Sequence, residues 1–494
     1  MQFFRSMFPA QAVLGLELLT EMATINAAFY LITGALQADQ SALDVVANNV
    51  ANANTPGYTR EIANWRENAP AEINGVAYGT GVSQTGPTSV RDRVLEERLA
   101  QQQQEAAGSS SRLTALDSVQ ALFAPASGTS SSLAGDIGSD ITSFFNSFAA
   151  LETNPTDTAL RDQVLATART LAGDISNAAA SLNAQETSLD QQASSIVDQV
   201  KSLAASIAKL NVEIQASSPD KDAGSLEDER QVELSKLSQL VGINRVRIQS
   251  NGISITTTAG GMLVSEGTSY QLQTAAIGGK THFLLGAEDI TASLTAGGGE
   301  LGGLLIARDQ DIPEILGKLD ELAYSVSTQV NAANSSGSDL NGNTGTPLNP
   351  AAFFRQPSAV AGSALGMSVI MTDASQIAAG AQGEGPGDNE NARVLAGLAN
   401  QRIVGGLTPS GFYSRLITAL GAMVAQVQID NTAENASVTQ LQTVRNALSS
   451  VNLNDEAALM QQFERSYQAA SQVFAVLNKI MGSAINLGVQ TSVS

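Results

Sequence analysis

From Met22 onward, apolar residues fall at Ile25, Phe29, Ile32, Leu36, Leu43, Val46 and Val50, in steps of 4, 3, 4, 7, 3 and 4. Only Asp39 is off the pattern. Such spacing puts one apolar stripe along a helix, and the stripe is unsatisfied until another surface covers it. The same spacing returns without a miss at the far end, through Met460, Phe463, Tyr467, Ala470, Phe474, Leu477, Met481 and Ala484. Two exposed seams at opposite ends predict that the ends pair, within one subunit or with a neighbour. The plainer alternative is that each docks separately onto a globular body.

Between them the longest periodic run passes through Leu189, Ala193, Ile196, Val200, Leu203, Ile207, Leu210 and Ile214, with weaker periodicity back to Leu160. A continuous helix over that range would be about 80 Å long at 1.5 Å per residue. Pro219 stops it, and Ser225-Leu226-Glu227-Asp228 reads as the cap of a shorter helix ending near Gly242. An earlier helix is expected over Val90–Leu122, closed by Pro125. From Ile243 the period falls to two: Val246 and Ile248 alternate with Arg245 and Arg247, and Asn251-Gly252 supplies a hairpin turn. Short strands and glycine turns run to about Gly303. Helical spacing resumes at Ile312, and Phe412–Val451 leads into the last seam. The expected fold class is mainly α with a smaller β part: terminal helices pairing as a coiled coil, a long-helix bundle and a small inserted β region.

Composition removes most catalytic classes. The 494 residues include no cysteine, one histidine (His282) and one tryptophan (Trp65), and the net charge is −21. Cysteine nucleophiles, disulfides and multi-histidine metal sites are therefore excluded. The acidic balance argues against nucleic-acid binding, which needs clustered Lys and Arg. No run reaches the 18 or so apolar residues of a membrane span. Residues 1–20 make a poor leader, because the basic region is weak and Glu17 interrupts the apolar stretch. They read as an irrelevant extension or a mis-assigned start.

The remaining candidates for chemistry are weak. His282 lies in an expected strand and reads as structural. The clusters Gly260-Gly261, Gly297-Gly298-Gly299 and Gly302-Gly303 lack a phosphate-loop context and read as turns. Asp339–Gly345 opens like a calcium loop, but Pro350 stands where the closing glutamate belongs. Glu96-Glu97 and Glu227-Asp228-Glu229 read as solvated helix surface. No catalytic, cofactor or metal residue is assigned, and an enzyme is not expected.

One motif is dense: Asn48-Asn49-Val50-Ala51-Asn52-Ala53-Asn54-Thr55-Pro56-Gly57-Tyr58. Asparagine competes for backbone hydrogen bonds and suits a helix end, and Pro56-Gly57 fits the centre of a type II turn. Asn49 and Asn52 share a helix face and are available to a partner chain. With Leu36, Ala38 and Gln40 before it, this motif resembles the N-terminal signature of bacterial flagellar rod, hook and hook-associated proteins. Val451–Ala457 and Tyr467-Gln468-Ala469-Ala470 resemble the C-terminal signature of the FlgK family of hook-associated proteins. Asn154-Pro155, Leu226–Gln239, Gly302-Gly303-Leu304 with Ala307-Arg308-Asp309 and Ile312-Pro313, Asp339–Gly345 with Phe353-Phe354, and Gly387-Asp388-Asn389-x-Asn391-Ala392 extend the likeness over residues 22–494. Residues 1–21 and the short stretch between Phe354 and Gly387 depart from the family pattern.

The resemblance implies a structural subunit of the hook–filament junction, exported without a cleaved signal and located outside the cell on the flagellum. The implied partners are further copies of itself in a ring, the hook protein, a second junction protein, flagellin, and a cytosolic export chaperone on the C-terminal helix. Nucleic acid, membrane and cofactor are not implied. The expected organisation is 1–21 as an extension and 22–62 with 452–494 as the terminal coiled coil. Residues 63–242 with 304–345 and 388–451 form the helical bundle, 243–303 the small β region, and 346–387 a loop-rich, reduced outer domain. The terminal seams (Ile25, Phe29, Ile32, Leu36, Leu43, Val46, Val50, Phe463, Tyr467, Phe474, Leu477, Met481) would make subunit contacts. The motif residues are Asn49, Asn52, Thr55, Pro56, Gly57 and Tyr58. A hook or distal-rod protein is the related alternative, and a cytosolic coiled-coil export chaperone the alternative of a different class.

Overall fold

Long helices dominate the computed structural model, which describes residues 10–73, 76–123, 136–217, 222–247, 251–344 and 352–490. Helix α1 (Ala10–Asn52) carries the first seam, and residues 10–21 continue it without a break. Six short strands follow: β1 (Glu61–Ile62), β2 (Trp65–Glu67), β3 (Ala71–Ile73), β4 (Val76–Tyr78), β5 (Val82–Gln84) and β6 (Thr88–Ser89). They pair β1 with β6, β2 with β5 and β3 with β4, as one nested antiparallel arm. Strands this short carry no readable alternation, so the arm is invisible to periodicity.

Helix α2 (Arg93–Leu122) starts later than the spacing at Val90 suggests, because Asp92 caps it, accepting from the N–H groups of Val94 and Leu95 at 3.0 Å. Then come α3 (Ile137–Thr153) and α4 (Thr158–Ser217). The 60 residues of α4 make one rod about 90 Å long. Pro125 and Pro219 lie outside the described residues. Helix α5 (Ser225–Leu240) has no side-chain cap from Ser225; its N-cap is Gly224, at φ +52, whose N–H goes to Asp222.

Two small antiparallel sheets lie beside α4. The first, in order β10-β9-β8-β7, uses β7 (Ile243–Arg247), β8 (Ile253–Thr257), β9 (Met262–Ser265) and β10 (Thr268–Ser269). The second uses β11 (Leu272–Ile277), β12 (Lys280–Leu285) and β13 (Glu288–Asp289). The expected hairpin forms, with β7 and β8 antiparallel and Arg247 paired to Ile253; Ile248 lies outside the described residues. The expected alternation of faces fails. Val246 is 58% exposed, while Arg245 turns inward to Glu97 at 2.5 Å.

The strands also end earlier than Gly303. Helices α6 (Thr291–Thr295) and α7 (Gly299–Ile306) come first, and a π turn (Ala307–Asp311) joins α7 to α8 (Ile312–Ser336). Gly302 and Gly303 are therefore helical, not turns. The reason is a helix crossing: a Cβ on Gly303 would stand 2.0 Å from the Gly108 carbonyl oxygen of α2. The remaining elements are β14 (Gly337–Ser338), α9 (Ser363–Gly366), β15 (Gly380–Ala381), α10 (Glu390–Gly397), α11 (Pro409–Ser449) and α12 (Leu453–Gln490).

One apolar core runs the length of the body. It takes the seam of α4, including Leu189, Ala193, Ile196, Val200, Ile207 and Leu182, and the inner faces of α3, α7, α8 and β8. Its densest part is aromatic: Phe144, Phe148, Phe353 and Phe354 meet at centroid distances of 5.1 to 6.0 Å. Phe353 and Phe354 come from the loop-rich stretch after 351, which is thereby packed into the bundle. Buried asparagines hold that stretch. Asn331 accepts from the N–H groups of Phe353 and Phe354 at 2.8 Å, and Asn391 donates to the carbonyls of Ala333 and Ala378. Arg161, 1% exposed, binds carbonyls rather than a carboxylate, including those of Pro155 and Ile377 at 2.7 Å.

Candidate functional site at the root of the terminal helix pair

The first and last helices lie against each other. Phe29 of α1 and Phe474 of α12 meet edge to face with centroids 5.3 Å apart, and Trp65 of β2 packs on Phe463 at 5.9 Å. Ile32, Leu36, Leu43, Phe463, Leu477 and Met481 are half-buried, and Val46 is buried. Two seam residues differ: Val50 is 39% exposed and Tyr467 38%. On α1 the contact face has moved to Ala38, Ala42, Val45 and Asn49, all buried. A straight helix with 3.6 residues per turn drifts about 20° per heptad against a 3.5-residue repeat, so a strict seam leaves the interface within two or three heptads. The side chains of Ile25 and Ala484 lie outside the described residues. Outside the seam, Val473, Val476 and Ile480 of α12 and Tyr30 and Leu31 of α1 remain exposed.

At the root of this pair sits the asparagine motif. The structure turns Asn49 inward, not toward a partner chain. It is 1% exposed and uses its whole hydrogen-bonding capacity within the molecule. Its Nδ2 donates to the Glu61 carbonyl (2.8 Å) and to Glu456 Oε2 (3.2 Å), and its Oδ1 accepts from the Tyr58 hydroxyl (2.8 Å) and the Glu61 N–H (2.9 Å). Asn52, half-buried, stays local: it donates to Asn48 and accepts from the Thr55 hydroxyl. Tyr58 N–H returns to the Thr55 carbonyl at 3.2 Å across Pro56 and Gly57, closing the turn. Gly57 has φ +82, and a Cβ there would stand 2.3 Å from Val232 Cγ2 of α5. Only glycine meets both demands. Burial, then the carboxylates of Glu61, Asp228 and Glu456, push the Tyr58 hydroxyl well above the usual phenol range, so it remains a donor.

Two buried carboxylates flank the next two residues. Glu456, 0% exposed, takes the Arg60 guanidinium at 2.6 Å. Asp228 accepts the Thr59 N–H at 3.0 Å and pairs with Arg91. Arg91 also reaches Glu227 at 3.4 Å and Glu96 at 3.6 Å. Glu96, Glu227 and Asp228 are thus buried ion-pair partners, and only Glu229 is solvated surface. Burial raises the Glu96 and Asp228 carboxyls above the ordinary range, against the opposing pull of Arg91 on both and of the Thr59 N–H on Asp228. Asp222 is also opposed by burial, but the Ser89 hydroxyl and N–H and the Gly224 N–H hold it below that range. No pattern of single residues marked Glu456, and Asp228 was visible only as part of a cap and of an acidic cluster; the signal for their role was their position inside two of the stretches that carry the family resemblance.

The other candidates are local. His282 Nδ1 lies 2.6 Å from Asp289, which the Thr291 hydroxyl and N–H and His282 hold down to about 2. Asp339 accepts from the N–H groups of Asn341 and Asn343 and from the Asn343 side chain, forming an Asx turn; Gly345 and Pro350 lie outside the described residues. Among the described residues no group of three or more His, Cys, Asp and Glu is placed to hold a metal, and no helix is long and apolar enough to cross a membrane.

Comparison with known proteins gives a consistent result. The model for the FlgK flagellar hook-associated protein helical domain matches residues 116–349, and that for the flagella basal body rod protein matches 29–59. Flagellar hook-associated protein 1 of Escherichia coli K12 is 24% identical over 92% of this chain and 98% of its own length. That of Bacillus subtilis 168 is 26% identical over 92% and 96%. In fold, the chain resembles the flagellar hook junction protein FlgK of Burkholderia pseudomallei, with TM-score 0.62 and 19% identity over 72% of this chain and all of that one.

Proposed function

Because this chain belongs to the FlgK family of flagellar hook-associated proteins and is a structural component of the flagellum, we propose that it forms the junction between hook and filament. In this reading it is the adaptor on which flagellin assembles. One observation carries it. The two chain ends make a helix pair whose seam is only half-buried, and whose outer face still exposes Val473, Val476 and Ile480. A contiguous apolar stripe on an exposed helix is a surface for a partner. Copies of the same pair, stacked side by side, would cover it in the assembled flagellum.

The terminal pair (22–62 with 452–494) then serves assembly. The helical body (63–242, 304–345 and 388–451), with the β region (243–303) and the stretch 346–387, presents surfaces to hook protein, second junction protein and flagellin. Before assembly the same stripe on α12 needs masking, which is the task we assign to a cytosolic export chaperone; export proceeds without a cleaved signal. The long α4 favours this reading over a hook or rod protein, whose central parts are expected to be mainly β. Deleting residues 456–494 tests it. The truncated chain should keep the helical signal of its body and fail to appear at hook tips, leaving hooks without filaments. Normal filaments on such cells would overturn the proposal.

A further inference from the structure

We propose that the two-residue segment Thr59–Arg60 is the coupling through which force passes between the terminal helix pair and the helical body, with Asp228 and Glu456 as positioning residues on its two sides. Its biological meaning rests on the junction reading above. Helix α12 packs chiefly on α1, and α1 in turn packs on α12, β5 and β1. The pair therefore stands on the body through the links 53–60 and 450–452 and the base of the β arm. Apolar contacts there would allow sliding; directional, charge-assisted hydrogen bonds resist it.

Such bonds converge on two adjacent residues. Toward the body, the Thr59 N–H is held by Asp228 of α5 at 3.0 Å, and Asp228 is fixed by Arg91. Gly57, two residues earlier, lies against Val232 of the same helix. Toward the terminal pair, the Arg60 guanidinium is held by Glu456 in the first turn of α12 at 2.6 Å, and Glu456 also takes Asn49 of α1. The Arg60 backbone completes the joint: its N–H donates to the Ser449 carbonyl at 2.9 Å, and its carbonyl accepts from Val90 at 2.8 Å. Thr59 is thus tied to the body through Asp228, while Arg60, one peptide bond on, is tied to the body by its backbone and to α12 by its side chain, with α1 joined at Glu456 through Asn49. Tension or twist on the pair reaches α5 through that bond.

The test uses cells lacking their own hook-associated subunit, supplied with the full chain as wild type, Glu456→Gln, Asp228→Asn or Arg60→Lys. The amide variants keep volume but remove the charge and turn one of two acceptor oxygens into a donor; Arg60→Lys keeps the charge and loses the planar fork. Two quantities are read: the amount of subunit in detached flagella, and the fluid shear at which filaments leave the hook. The expected result is near-normal incorporation with filaments lost at severalfold lower shear, and partial recovery in Glu456→Asp. If Glu456→Gln is absent from flagella, Arg60→Lys carries the same expectation. Variants that are incorporated and hold filaments at wild-type shear overturn the coupling. Failure of the wild-type chain to restore filaments would instead count against the junction reading.

Discussion

Asn49 of the first helix and Glu456 of the last are 407 positions apart in sequence, yet share a 3.2 Å hydrogen bond out of reach of solvent. That contact ties the two signature motifs of the chain into one structure. Neither residue has an unused partner: Asn49 makes four hydrogen bonds, and Glu456 binds both Asn49 and Arg60.

Replacing Asn49 with alanine should therefore strand the Glu61 amide, the Tyr58 hydroxyl and part of Glu456 in a buried setting. The expected loss is roughly 2–4 kcal/mol, since each unsatisfied buried group costs about 1–3 kcal/mol. The single tryptophan gives the readout, because Trp65 packs on Phe463 and donates to the Ala38 carbonyl at 3.4 Å. Its emission should shift to the red at lower denaturant in the variant. An unchanged midpoint would refute the role given to Asn49.

Gly57→Ala faces both a positive φ and a 2.3 Å approach to Val232. We expect a loss of about 1–3 kcal/mol from backbone strain and overpacking together. The double variant Gly57→Ala/Val232→Ala should recover the packing part only. Full recovery would mean the backbone conformation carries no strain, and no recovery that the contact is immaterial. Thermal melts of the three proteins decide.

At the other end of the bundle, Asp140 of α3 has a buried Oδ2 without a hydrogen-bond donor among the described residues. Burial, then Asp174 of α4 and Asp136, raise Asp140 to about 7. A carboxyl raised in the folded state contributes stability that is fully present below its unfolded pKa and is lost as pH rises through about 7. Asp140→Asn, which mimics the protonated form, should flatten that part of the profile. The measurement is the difference in melting temperature between the two proteins from pH 4 to 8. The wild type should fall relative to the variant as pH increases, and a parallel pair of curves would exclude the effect.

Gly303→Ala should force α7 away from α2, because the added methyl would lie 2.0 Å from the Gly108 carbonyl. The expected destabilisation is at least about 1–3 kcal/mol, the usual range for overpacking. Gly317→Ala in α8, where a methyl meets nothing within 4 Å, is the control and should stabilise slightly. Urea midpoints of the two variants should move in opposite directions.

Much of this molecule was legible because it depends on local repetition. The stripe from Leu189 to Ile214 marks a helix whatever it packs against, and those residues do line the core. The turn at Pro56-Gly57 follows from the backbone limits of two residues. The illegible parts depended on distant partners. Glu96 and Glu227 have the composition of a solvated face, and they are buried because Arg91 arrives between them. Gly302-Gly303 looks like a turn until α2 crosses at Gly108. Val246 points outward because Glu97 claims Arg245 for the inner side.

By itself the sequence determined that this chain is built of long helices with unsatisfied ends, that its chemistry is poor in nucleophiles and metal ligands, and that its terminal motifs resemble those of flagellar axial proteins. Periodicity, composition and short motifs are properties of neighbouring residues, so they survive without the fold. Tertiary structure alone decided which charges are buried, which face of α1 meets α12, and that Asn49, Arg60 and Glu456 form one joint. Burial of a polar group is set by the free energy of its partners, and decisive ones, such as Glu456 for Asn49 and Arg60, lie hundreds of residues away.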